Sequence, residues 1–99
     1  MCGIFGLVIN KNAGYESAFI KKSLMTLARL SESRGKDSSG LVIRDEATKE
    51  FQVYKGDVYL NYLLKNKQVK HNIDYALKAY QNHTEGPRQS FTAMGHSRL

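Results

Sequence analysis

Cys2 is the only cysteine in the chain, and removal of an initiator methionine would leave its thiol and a free α-amine on one residue. A model α-amine titrates at about 7.7 to 8.0 and a thiol at about 8.5. Near neutral pH the amine can therefore take the thiol proton, directly or through one water, and assist nucleophilic attack. N-terminal threonine nucleophiles use the same device. If Met1 is retained, the amine becomes an amide nitrogen and that base is lost. Gly3 removes a side chain beside the thiol, and Gly6 permits close backbone approach in the same segment, as a substrate pocket beside a chain terminus requires. Taken alone, Cys2 reads first as a small buried hydrophobe opening a strand.

Few other residues offer chemistry. Arg34 and Asp37 are three apart and can form a local ion pair worth under about 1 kcal/mol. His71 and His83 show no metal-ligand spacing with Cys2 or any carboxylate pair, so no metal is expected. His96 and Arg98 sit together near the end of the chain, in Gly95-His96-Ser97-Arg98-Leu99.

The elements that must position these residues follow from hydrophobic periodicity. Cys2 to Ile9 is a nearly continuous apolar run, read as a strand buried on both faces and ended by Asn10-Lys11-Asn12. From Tyr15 to Ser33 the period becomes helical, with Phe19, Ile20, Leu24, Leu27, Ala28 and Leu30 on one half of the wheel and Lys21, Lys22 and Arg29 on the other. The glycine- and serine-rich run Arg34 to Gly40 reads as a loop. Leu41 to Arg44 then pairs with Phe51, Val53 and Tyr54 as a hairpin over 40 to 55. Asp57 is placed as the cap of a short helix carrying Leu60, Leu63 and Leu64, and Asn72 as the cap of one carrying Ile73, Leu77 and Tyr80. His83 to Ser90 reads as a loop, and Phe91 to Gly95 as extended chain. Together these predict an α+β domain in which the Cys2 strand pairs with the hairpin and with the Phe91 segment, under the long helix.

Composition narrows the class. Ninety-nine residues, 41% hydrophobic and with one proline, make one domain able to bury roughly 65% of its unfolded surface. A single cysteine forbids an internal disulfide and fits a reducing compartment, so the cytoplasm is the expected location. No apolar run is long enough to span a bilayer, and the opening residues lack a signal-peptide pattern. Fifteen Lys and Arg against nine Asp and Glu leave a net charge of +6, which attracts anions without naming one. Apart from the Lys21-Lys22 pair and the looser set Lys65, Lys67, Lys70 and His71, the cations are scattered along the chain, with no dense block interleaved with aromatics, so nucleic-acid binding is not expected. Membrane association is not expected either.

Three segments carry a resemblance. Met1-Cys2-Gly3-Ile4-Phe5-Gly6, then Arg34-Gly35-Lys36-Asp37-Ser38-Ser39-Gly40, then Gly95-His96-Ser97-Arg98-Leu99 resemble, in order, the opening signature segments of class II glutamine amidotransferases. These are N-terminal-nucleophile glutaminases built as an αββα sandwich. The resemblance implies that Cys2 attacks the side-chain amide of glutamine to give a thioester and ammonia, with its own α-amine as base. It implies that Arg98 binds the glutamine α-carboxylate, a task suited to a planar guanidinium. Arg34 and Asp37 would shape the loop beside the nucleophile, and His96 would support the substrate site as a structural histidine. No cofactor is implied. The implied partners are glutamine and an ammonia-accepting synthase domain or subunit. The length between the second and third segments resembles sugar-phosphate or phosphoribosyl members more than asparagine-forming ones.

The chain also departs from that pattern. The family draws its oxyanion hole from an Asn-Gly pair downstream of the His-x-Arg segment, and this sequence contains no Asn-Gly dipeptide. Removing one oxyanion donor costs about a hundred- to a thousand-fold in rate. Residues 1–99 are therefore read as the N-terminal portion of a glutaminase domain, truncated after the His-x-Arg segment and inactive by itself. The alternative is a non-catalytic, amidotransferase-like binding module. Half a sandwich would expose an apolar sheet face, so self-association of the chain is expected.

Overall fold

In the computed structural model, which describes residues 2–32, 37–45, 49–81 and 89–98, four strands and three helices follow in the order β1 (Cys2–Ile9), α1 (Ser17–Glu32), β2 (Ser38–Asp45), β3 (Glu50–Gly56), α2 (Leu60–Lys65), α3 (Lys67–Gln81) and β4 (Phe91–Arg98). The strands form one open antiparallel sheet in the order β1-β4-β2-β3. The fold is thus a small α+β domain, as the periodicities predict. The hairpin is present, paired from Ser39 opposite Gly56 to Asp45 opposite Glu50.

The sheet order corrects one expectation. β1 pairs only with β4, and the hairpin joins the far side of β4 through β2. Extended pairing continues to Arg98, beyond the Gly95 boundary read from the sequence, because β4 is hydrogen-bonded along both edges. A central strand with two partners has no reason to stop at a glycine that both neighbours accommodate.

All three helices pack on one face. There Leu41 and Ile43 of β2 and Phe91 and Ala93 of β4 meet Ile20, Leu24 and Ala28 of α1, Leu60 and Leu64 of α2, and Ile73 and Leu77 of α3. Each such side chain contributes about 1.5 to 3 kcal/mol by leaving water. The opposite face has no helix on it. Ile4 and Val8 on β1 are therefore 76% and 74% exposed, which overturns burial of β1 on both faces: its apolar run serves one covered and one open surface.

Helix α1 keeps its predicted place within a residue or two, but its core stripe is Ile20, Leu24, Ala28 and Ser31. Phe19 and Leu30, placed on the core side by sequence, are exposed. Successive positions of the stripe advance by four, four and three residues, and that line reaches Ser31 rather than Leu30. The hydroxyl there is satisfied: Ser31 Oγ donates to the carbonyl of Ala28 at 2.8 Å and lies 3.0 Å from Ser97 Oγ.

The two short-helix caps also differ from expectation. The residue before α2 is Tyr59, with no side-chain cap, and Asp57 lies outside the helix. The cap of α3 is Asn66, whose Oδ1 accepts the backbone N–H of Gln68 at 2.9 Å and of Val69 at 3.3 Å. Asn72 sits inside α3, where its side-chain amide donates to the Tyr54 hydroxyl. It fastens α3 to β3 instead of starting a helix. No helix among the described residues is long and apolar enough to cross a membrane.

Candidate functional site

The sheet pairing brings the segments singled out by sequence to one end. Cys2 of β1 stands directly opposite Arg98 of β4, and Arg98 stands opposite Ser38 of β2. Residues so opposed in antiparallel strands are about 4.5 to 5.5 Å apart at Cα. Asp37 joins the same point through its backbone, its N–H donating to the carbonyl of Arg98 at 2.7 Å. Arg98 and Asp37 are both exposed. Arg34 and His83 fall outside the described residues, so the expected pairing of Arg34 with Asp37 does too.

One row along the sheet, Ile4, His96, Gly40 and Lys55 stand in line across all four strands. His96 is half-buried, and its imidazole lies on the backbone of Gly40. A β-carbon at position 40 would fall 2.6 Å from His96 Nε2 and 3.0 Å from Cδ2, so glycine is what lets the ring approach β2 this closely. Farther along, Gly6, Met94, Val42 and Val53 form the next row. The open face is thus polar at the Cys2 end and apolar beyond it, with Met94 and Val53 more than half exposed.

The covered face holds this end in place. Ser97, between His96 and Arg98, points to the helices, is fully buried, and meets Ser31 of α1. Ser39, next to Ser38, is buried as well and donates to the carbonyl of Val58 at 2.8 Å. Glu32 at the end of α1 accepts the backbone N–H of Asn61 in α2 at 2.8 Å. Strands β2 and β4 are therefore tied to α1 and to the segment before α2 just beneath the residues they present above. Ser39, Gly40 and Ser97 lie within the segments that carry the resemblance but have no role assigned there, and Ser31 lies outside them. Strict alternation within Ser38-Ser39-Gly40 and His96-Ser97-Arg98 carried the signal, because every second residue must face the helices.

His71 is exposed on α3, on the helical side of the sheet. Among the described residues no three His, Cys, Asp or Glu stand close enough to hold a metal ion. No family model, curated protein or solved structure matches the chain.

Proposed function

We propose that the chain is the N-terminal part of a glutaminase of the class II amidotransferase kind, completed by a second sheet in an N-terminal-nucleophile sandwich. The observation that carries this reading is the direct opposition of Cys2 and Arg98, with the backbone N–H of Asp37 donating to the Arg98 main-chain carbonyl. Three segments far apart in sequence converge where a nucleophile and a carboxylate-binding cation are needed side by side. An open sheet face next to them also fits a domain whose other sheet packs there.

In this reading, Arg98 holds the α-carboxylate of glutamine through two parallel N–H···O bonds. With Met1 removed, the Cys2 α-amine takes the thiol proton and Sγ bonds to the side-chain amide carbon. The C–N bond then breaks, the proton passes to the leaving nitrogen, and ammonia departs from a γ-glutamyl thioester. Water cleaves the thioester, giving glutamate and restoring the thiol. The acceptor of the ammonia belongs to a partner domain or subunit. A second reading is a non-catalytic, amidotransferase-like binding module.

Mass spectrometry of the purified chain, before and after treatment with a diazoketone analogue of glutamine, tests both. The glutaminase reading expects loss of Met1, one adduct on Cys2, protection by excess glutamine, and weaker protection in Arg98→Ala. A chain lacking Met1 that forms no adduct overturns it in favour of the binding module.

A further inference from the structure

The charges that are scattered in sequence are gathered by the fold. Helices α1, α2 and α3 carry seven Lys and Arg against Glu32 and Asp74, so five of the six net positive charges of the chain lie on the helical layer. Four of these cations, Lys21, Lys65, Lys70 and Lys78, border a groove between α1 and α3. Its wider part, about 710 Å³, is lined by Lys21, His71, Tyr75 and Lys78. A narrower extension of about 210 Å³ shares Lys21 and adds Met25, Lys65 and Lys70. Asp74, the one acid lining either part, is neutralised by Lys21 at 2.9 Å.

Two aromatics accompany the cations. Tyr75, in the groove wall, is 61% exposed, and Tyr62 is 65% exposed beside Lys65, whose Nζ lies 5.6 Å from the Tyr62 ring centroid. From Lys70 to Lys78 the groove runs about 12 Å along α3 at 1.5 Å per residue. The apolar floor is already used by the core: Leu24, Leu64, Ile73 and Leu77 are at most 3% exposed. An acidic amphipathic helix would find little uncovered apolar surface there for its own stripe. A planar base, by contrast, can stack on an exposed tyrosine while its phosphates face the lysines.

We infer that the α1–α3 groove binds single-stranded nucleic acid, about four nucleotides at a time, with Lys65, Lys70 and Lys78 on the phosphates and Tyr75 stacking on a base. The site lies on the layer opposite the Cys2 end and does not depend on the glutaminase reading.

The test is fluorescence anisotropy of the full 99-residue chain with 5′-fluorescein-labelled dT12 and rU12. Three neutralised phosphates give a salt slope near −2, so affinity should fall about 20-fold between 50 and 200 mM KCl. In Lys70→Gln/Lys78→Gln the same change of salt should cost only about 3-fold. Tyr75→Ala should weaken binding about 5- to 150-fold with the salt slope unchanged. All three side chains are exposed, and an unchanged circular-dichroism melt verifies that the variants fold. No binding at 50 mM KCl overturns the inference. So does binding that ignores Tyr75 and is matched by a heparin oligosaccharide or an acidic peptide, which would reduce the groove to bare attraction for polyanions.

Discussion

Gly95, which opens the Gly-His-Ser-Arg segment, is the position where the packing makes its sharpest demand. It stands opposite Phe5 of β1, and a β-carbon placed there would lie 2.4 Å from Phe5 Cζ and 2.6 Å from Cε1. Rigid ring atoms at those distances cannot yield by a small adjustment. In Gly95→Ala the Phe5 ring must leave its seat against the core, or β1 must move away from β4. Overpacking of this kind costs about 1 to 3 kcal/mol, and a cost near 2 is expected because Phe5 is only half-buried and can swing partly into solvent. For a domain of this size that lowers Tm by about 8 to 16 °C. The same substitution in a Phe5→Leu background should cost less than about 0.5 kcal/mol, because the shorter side chain leaves room and alanine suits a strand better than glycine. Urea unfolding of the four proteins gives the coupling energy directly. A coupling below about 0.5 kcal/mol would refute the close approach of ring and backbone as the reason for glycine here.

Other consequences follow from single contacts. Ser97→Ala should cost about 1 kcal/mol in urea unfolding, and adding Ser31→Ala should cost less than a second independent loss, since the two hydroxyls share one buried bond. Asn66→Ala removes the side chain that accepts two N–H groups at the start of α3 and should cost about 1 kcal/mol by the same measurement, whereas Asp57→Ala should be near neutral. Ile4→Lys/Val8→Lys places two charges on the open face; sedimentation velocity should show self-association in the parent chain and its loss in this variant.

Element positions were legible because each depends on local pattern. The helical stripe from Ile20 to Ala28 and the apolar hairpin strands came through from periodicity alone. Strand order was not legible. The runs in β1, β2 and β4 are each apolar enough to be central, and which one holds that place depends on pairing between residues fifty or more positions apart. Nothing in the β1 run states that a single face is covered, since helices on one side leave Ile4 and Val8 open while their neighbours pack. The cap of α3 was misplaced for a similar reason. Asn66 and Asn72 are both competent caps, and contact with Tyr54 on a distant strand employs the second in another role.

The same division applies to chemistry. Cys2 stands out by residue type and position, His96 and Arg98 only through the resemblance, and the register sets Cys2 opposite Arg98. What lies beneath was not legible, because Ser31, Ser39 and Ser97 are unremarkable in a linear reading and acquire their role only as buried partners of the covered face. Charge shows the converse most clearly. Of the groove's cations only Lys65 and Lys70 lie close in sequence, while Lys21 is 44 positions before Lys65 and Lys78 eight after Lys70. Antiparallel contact of α1 with α3, pinned by Lys21 with Asp74 and by Ser17 with Gln81, makes them walls of one groove. A basic composition is uninformative until the fold decides whether its cations share a surface, and here Lys21, Lys65, Lys70 and Lys78 share a surface that also presents the exposed Tyr75.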